Sequence, residues 1–214
     1  MAHEDPIKSA YDQPFWERLW EKTLREHPDK VARRSPSAWL VTELAGLRPG
    51  RALDAGCGHG AETLWLALHG WQVTSVDFSA SALSRGRLLA DALDAEVAPR
   101  IDWVLGDLST WPVPFDAFDL VVCLYVHAAG GAADLVQRMA RGVAVGGTLF
   151  LVGHRPIDPA TGAATSAAGQ EQVSVETAVA TLDPEHWELE VAEERPRGAL
   201  GAGVDAVIRA RRRS

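Results

Sequence analysis

Between residues 51 and 152 the apolar positions fall into two alternating patterns. Short, dense apolar runs at 51–54, 71–77, 101–105, 118–126 and 148–152 read as strands. The stretches 62–69, 79 to about 93 and 132–143 carry apolar residues at helical spacing instead, with Gly70 closing the first and Ser79 as the N-cap of the second. This alternation predicts an α/β fold: a doubly wound, Rossmann-like sheet that is mostly parallel. The run 118–126 is the most continuously apolar, as a central parallel strand buried on both faces should be. A helix over 173–182 precedes two late strands, about 187–193 and 203–210, with no long helix between them. A parallel return needs a crossover, so one strand of the seven is expected to be antiparallel at the edge. Residues 153–172, rich in Ala, Gly, Thr and Pro, read as a long loop.

Ahead of the first strand, Phe15, Trp16, Leu19, Trp20 and Leu24 recur at helical spacing behind Pro14, and 37–47 carries a second helical pattern. His27-Pro28-Asp29-Lys30 breaks the chain between them. We expect residues 1–36 to form a helical lid segment and 37–214 the α/β domain, one domain overall. The aromatic face of the first helix either docks on the core or covers a ligand pocket.

Composition narrows the classes of partner. The chain has 214 residues and a formal net charge of -8, which argues against nucleic acid. The dense basic run, Arg209-Ala210-Arg211-Arg212-Arg213, reads as a solvated tail after the last strand. Two cysteines, Cys57 and Cys123, are too few for a disulfide framework and are expected to be reduced, as in a cytoplasmic protein. No window approaches the roughly 20 apolar residues of a membrane span. Met1–Pro6 lacks the apolar region of a signal peptide.

The candidate chemistry centres on Asp54-Ala55-Gly56-Cys57-Gly58-His59-Gly60. Glycines at alternate positions between a strand and a helix let the backbone turn sharply and approach a ligand over the free N–H groups of the helix start. Taken alone, this stretch fits two ligand classes. Gly56-x-Gly58-x-x-Ala61, with Asp77 about 20 residues on, meets the dinucleotide fingerprint of an NAD(P)-binding oxidoreductase. Asp54-x-Gly56-x-Gly58-x-Gly60 resembles the first motif of the class I S-adenosylmethionine (SAM)-dependent methyltransferases. Asp54 separates them, because a carboxylate beside a doubly negative pyrophosphate is unfavourable, whereas SAM brings an ammonium and a sulfonium.

Three further stretches strengthen the resemblance: Gly106-Asp107-Leu108 after the third strand, Phe115-Asp116-Ala117-Phe118-Asp119-Leu120-Val121 leading into the fourth, and Arg141 to Leu149 leading into the fifth. In the last, Val145 stands where the family usually has proline, while Gly146-Gly147 is kept. The resemblance covers roughly residues 37–152. It implies SAM as the cofactor, held by Asp54, Ala55, Gly56, Cys57, Gly58 and Gly60 of the turn, by Asp77 and Phe78, by Gly106, Asp107 and Leu108, and by Leu124 and Tyr125; Trp20, on the lid helix outside the resemblance, is a further candidate cofactor contact. Within this set, the acid in the place of Asp77 holds the ribose hydroxyls, and the one in the place of Asp107 accepts from the adenine amine.

Methyl transfer is an in-line displacement, so the protein supplies approach, alignment and at times a base. The reacting atoms of an open α/β sheet lie beyond the carboxyl ends of its strands. His127, after strand four, and His154, after strand five, are the candidate catalytic bases; each also fits a plainer role as a hydrogen-bonded wall of the pocket. Trp16, Tyr125, His127, His154 and Arg155 are the candidate acceptor contacts. No metal is expected, since a third ligand beside the two histidines is not evident. Leu124-Tyr125-Val126-His127 does not match the Pro-Pro-aromatic tetrad of nucleic-acid methyltransferases.

The expected partner is thus a small-molecule acceptor, a thiol, chalcogen oxyanion or hydroxyl, with no nucleic acid and no membrane, and the protein a monomer or homodimer. The short chain and order of elements resemble, more loosely, the tellurite-resistance and thiopurine methyltransferase-like branch. A non-catalytic SAM-binding sensor is the alternative from a different class.

Overall fold

The computed structural model describes residues 12–127, 130–158, 161–165, 171–197 and 203–214. Parts of the long loop expected at 153–172, and the Gly198 and Gly201-Ala202 positions of the turn between the last strands, lie outside these residues, as do Met1–Tyr11. Seven strands form one sheet: β1 (Arg51–Ala55), β2 (Gln72–Asp77), β3 (Ile101–Leu105), β4 (Phe118–Leu124), β5 (Val143–His154), β6 (Trp187–Pro196) and β7 (Val204–Arg212). Their order is β3-β2-β1-β4-β5-β7-β6. The pairs from β3 through β5 are parallel, and β7 runs antiparallel to both β5 and β6. The antiparallel edge expected from the sequence is therefore a hairpin, with β7 one place in and β6 outermost.

The helices are α1 (Gln13–Glu26), α2 (Pro28–Ala32), α3 (Ala38–Leu44), α4 (Ala61–Leu68), α5 (Ala80–Asp91), α6 (Ala132–Gly142) and α7 (Val175–Thr181). Pro14 stands in the first turn of α1, and Asp12 caps it by accepting from the Phe15 N–H. Ser79 caps α5 by accepting from the Ala82 N–H at 3.1 Å. α2 occupies the stretch whose His-Pro-Asp read as a break: Pro28 opens a single short helix there, because proline suits a first helical position.

Strand residues alternate between two apolar layers. Leu53, Val121, Cys123, Leu149, Leu151 and Ile208 face α6 and α7, while Ala52, Leu120, Val122, Phe150, Val152 and Val207 face α3 and α4. Both faces of the central strands are thus buried, which explains their near-continuous hydrophobicity. The arginines of the C-terminal run do not form a solvated tail. β7 extends through Arg212, and Arg209 pairs with Glu43 and Glu190, Arg212 with Asp116, and Arg213 with Glu188. Acids on α3, β6 and the loop before β4 give these side chains partners that keep the strand going past residue 210. Among the described residues no helix is long and apolar enough to cross a membrane. Cys57 and Cys123 are both free and buried.

Trp103 on β3 packs against Gly60, the N-cap of α4, and against Gly86 of α5. A Cβ on Gly86 of α5 would sit 2.5 Å from its indole and 3.1 Å from the His59 carbonyl. Gly86→Ala, normally favourable in a helix by about 1 kcal/mol, is instead expected to destabilise the protein by about 1–3 kcal/mol through overpacking. Urea unfolding checks this; a stabilised variant would show that α5 can move off the sheet at no cost.

Candidate functional site

The sheet reverses its order between β1 and β4, and a cavity of about 450 Å³ opens beyond the carboxyl ends of these two strands. Such a switch point is where open α/β sheets bind ligands. Immediately after β1 the chain turns through Gly56 (φ 78°) and Gly58 (φ 53°), left-handed backbone that glycine adopts without strain. A Cβ on Gly58 would lie 2.7 Å from the Trp20 indole, and one on Gly56 2.3 Å from the Val126 side chain. The turn is therefore a close-fitting floor, held from behind by Asp77, whose Oδ2 accepts from the Gly58 N–H and whose Oδ1 accepts from the Ser79 N–H, both at 2.8 Å.

The walls are acidic. Asp54, Glu62, Asp77 and Asp107 line the cavity, and among its lining residues Arg34 is the sole arginine or lysine. Asp54 is 3% exposed, and its Oδ2 accepts from the Thr63 hydroxyl at 2.5 Å. Burial, with the negative Glu62 beside it, pushes its carboxyl up to about 8. Burial raises Asp77 as well, against the pull of its backbone N–H donors. His59 is brought down to about 4, by burial first and then by Arg34 and Arg85, so its ring is neutral at pH 7. A cavity with two buried carboxyls held above their usual range is suited to a cationic ligand and hostile to a pyrophosphate.

α1 lies across the opening. Trp20 stacks obliquely on His59 with ring centroids 5.4 Å apart, and Trp16 stacks on His127 at 5.6 Å and 29°. Polar contacts fasten the helix: Gln13 donates to the Phe78 carbonyl, and Glu17 accepts from the Ser81 N–H and hydroxyl.

At the far end of the cavity are Tyr125, His127, His154 and Gln172. Gln172 Oε1 accepts from the His154 backbone N–H at 2.6 Å, which aims its amide nitrogen at His127 Nε2, 2.9 Å away. An amide nitrogen only donates, so Nε2 of His127 is the acceptor and the ring carries its proton on Nδ1. Burial, then the neighbouring His154, also lowers the pKa of His127.

His154 ends β5, and the antiparallel register sets it opposite Asp205 at the start of β7. Its Nδ1 lies 2.9 Å from Asp205 Oδ1. Asp205 is 1% exposed and takes three further donors: Arg197 Nε at 2.8 Å, and Trp39 Nε1 and the Tyr125 hydroxyl at 3.1 Å each. Arg197 also rests against His154 Nδ1 through its Nη2. Burial opposes ionisation of Asp205, but its donors, His154 and Arg197 foremost, outweigh it and hold the carboxyl below the usual range. Tyr125 has φ 59°, a left-handed backbone uncommon for an aromatic residue. Its N–H bond to the Val152 carbonyl at 2.8 Å and its ring contact with His154 at 4.1 Å hold it there.

Of the residues singled out in the sequence, Trp16, Trp20, Asp54, Gly56, Cys57, Gly58, Asp77, Phe78, Asp107, Leu108, Leu124, Tyr125, His127 and His154 all line this one cavity. Ala55, Gly60, Gly106 and Arg155 do not. Ala55 is fully buried in the core and Gly60 caps α4. Gly106 packs against Trp111. Arg155 turns away to Glu194 and Glu176, acids on β6 and α7. Arg34, His59, Glu62, Ser109, Val126 and Gln172 line the cavity without having been singled out as contacts. Among the described residues no cluster of His, Cys, Asp or Glu could hold a metal ion.

Comparison with known proteins agrees with this geometry. Residues 52–147, from β1 into β5, match the methyltransferase domain family. The ribosomal RNA small subunit methyltransferase C of Alcanivorax borkumensis is 39% identical over 83 residues, 32% of this chain and 26% of that protein. The chain spans between 26% and 64% of the length of the curated relatives it matches. Among solved structures, the N-methyltransferase NodS from Bradyrhizobium japonicum, in complex with S-adenosyl-L-homocysteine, superposes with a TM-score of 0.68 at 20% identity, covering 92% of this chain and 98% of that one. TehB from Haemophilus influenzae gives 0.64 at 16% identity, covering 91% and 66%. Residues 52–147 thus match the methyltransferase domain family, and the chain carries the fold of the SAM-dependent methyltransferases.

Proposed function

We propose that the chain transfers a methyl group from SAM to a small-molecule acceptor. The observation that carries this reading is the acidic lining of the cavity: four carboxyl groups against one arginine, around a glycine floor that would admit no Cβ. SAM supplies a methyl group already activated by a good leaving group, so the chain's own task is binding, alignment and exclusion of water. On this reading Asp77 holds the ribose hydroxyls, Asp107 accepts from the adenine amine, and Asp54 with Glu62 faces the cationic centre. Arg34 pairs with the carboxylate, as the one arginine or lysine among the lining residues. Leu124 and Tyr125 flank the methionyl part. α1 acts as a lid, with Trp16 and Trp20 closing the cavity.

The acceptor is small because nothing favours a large anionic one. The net charge of -8 and the acidic walls oppose nucleic acid, so the RNA named for the Alcanivorax relative is not carried over. Support for the tellurite-resistance and thiopurine-like branch is the likeness to TehB, which speaks for the fold.

The reading is tested by incubating the protein with labelled SAM and a panel of thiols, selenite, tellurite and phenols. Formation of S-adenosylhomocysteine with at least one acceptor is expected. Tight SAM binding with no turnover on any of them would favour a non-catalytic sensor. A second expected result concerns the lid: SAM should protect α1 from limited proteolysis, and equal cleavage with and without SAM would remove the lid role.

A further inference from the structure

Resting on the methyltransferase reading, we infer that the acceptor is a small phenol and that His154, positioned by the buried Asp205, takes its hydroxyl proton. Two histidines border the acceptor end, and their hydrogen bonds divide them. His127 has its Nε2 lone pair engaged by Gln172 and a pKa lowered by burial, which makes it a poor base. His154 Nδ1 meets both Asp205 Oδ1 and Arg197 Nη2; we assign its proton to Nδ1, shared with the Asp205 carboxylate, which leaves the basic lone pair of the neutral ring on Nε2, and this ring lines the cavity.

Asp205 is built for positioning. It is 1% exposed, and each of its oxygens accepts from two donors, with Tyr125 and Trp39 on one and His154 and Arg197 on the other. This fixes the ring orientation, and the carboxylate offsets the Arg197 guanidinium that rests against the same ring. The same network holds Tyr125 in its left-handed backbone with its ring tilted over His154 at 4.1 Å.

The class of acceptor follows from what such a pair is needed for. A neutral amine attacks through a lone pair it already has, and a thiol, with an ordinary pKa of about 8.5, ionises more readily than a phenol. A phenolic hydroxyl, with an ordinary pKa near 10, keeps its proton and gains most from a fixed base. The aromatic walls suit a flat ring, with Trp16 over His127 on one side and Tyr125 over His154 on the other. In the step, the hydroxyl proton passes to Nε2 and an oxygen electron pair forms the new bond to the methyl carbon. The pair of the broken carbon–sulfur bond stays on sulfur, and His154 then returns the proton to water.

The test compares wild type, His154→Gln and Asp205→Asn on two acceptors of similar shape, 4-methylphenol and 4-nitrothiophenol, the latter already a thiolate at neutral pH. Both variants should lose about 100-fold in kcat on the phenol. The loss on the thiolate should be smaller by at least about tenfold, because that nucleophile carries no proton for the base to take. A readout without turnover uses 4-nitrophenol bound in the presence of S-adenosylhomocysteine: wild type should raise its phenolate absorbance above that of the free compound at the same pH, and His154→Gln should abolish the rise. Equal losses on phenol and thiolate would mean a merely structural network and overturn the proposal. So would a wild type that methylates the thiolate but not the phenol, or an absorbance indifferent to the substitution. His154→Gln lies at the cavity wall and keeps the test open should Asp205→Asn fail to fold. Absence of SAM binding by wild type would instead sink the methyltransferase reading beneath it.

Discussion

Asp77→Ala is expected to weaken SAM binding by about 2–4 kcal/mol, the cost of hydrogen bonds lost from a charged group. Two effects combine. The carboxylate is the proposed partner of the ribose hydroxyls, and it also holds the glycine floor through the Gly58 N–H and the start of α5 through the Ser79 N–H. Removing it takes away a contact and loosens the surface that the cofactor lies on. Asp77→Asn keeps an acceptor oxygen and should lose less. Calorimetric titration of both variants separates the two effects, and unchanged affinity in Asp77→Ala would remove this residue from the site.

The second large effect is a proton linkage at Asp54. Its carboxyl, pushed up to about 8 by burial and by Glu62, holds a proton at neutral pH in the free cavity. A cationic ligand favours the carboxylate, so binding releases that proton. The sign is fixed: below about pH 8, SAM affinity should rise with pH, by at most about tenfold per unit for one proton. Asp54→Asn should bind weakly and flatten this dependence. Folding stability moves the other way. An acid whose folded pKa lies above its unfolded value stabilises the fold while protonated, and that contribution is lost as pH rises from about 4 to about 8. Asp54→Asn should therefore raise the melting temperature of the free protein at pH 8 and leave it nearly unchanged at pH 4. Affinity independent of pH between 6 and 8 would show that Asp54 does not face the charged end of the ligand.

Much of the scaffold was legible because one physical rule sets it. Strands buried on both faces must be apolar throughout, and helices that cover them must be apolar on one side, so β1 to β5 and α4 to α6 appear in the chain as alternating periods. The glycine floor and Asp54, Asp77 and Asp107 were legible for a related reason: in this architecture ligand contacts cluster at the carboxyl ends of strands, and Asp54 and Asp77 stand in the last two positions of β1 and β2 and Asp107 two past β3. The acceptor end was legible only in part. His127 and His154 stand just past β4 and at the end of β5, but Gln172 and Asp205 reach them from distant segments. The pairing of His154 with Asp205 depends on the antiparallel register of β7 on β5, which no local pattern encodes. Arg34 belongs to a polar stretch between α2 and α3 without periodicity. Arg155 misled because position past a strand end does not fix direction; Glu176 and Glu194, on α7 and β6, turn it away. The basic run at the C-terminus misled similarly, since its acidic partners are spread over α3, β6 and the loop before β4.

The central claim is that the glycine-floored, acidic cavity takes a cationic adenosyl cofactor rather than a pyrophosphate. Calorimetric titration of the purified protein with SAM and, in parallel, with NAD tests it most directly. Saturable SAM binding at one site per chain, with proton release at pH 7 and no heat from NAD, is the result this account predicts. Saturable binding of NAD with none of SAM would contradict it.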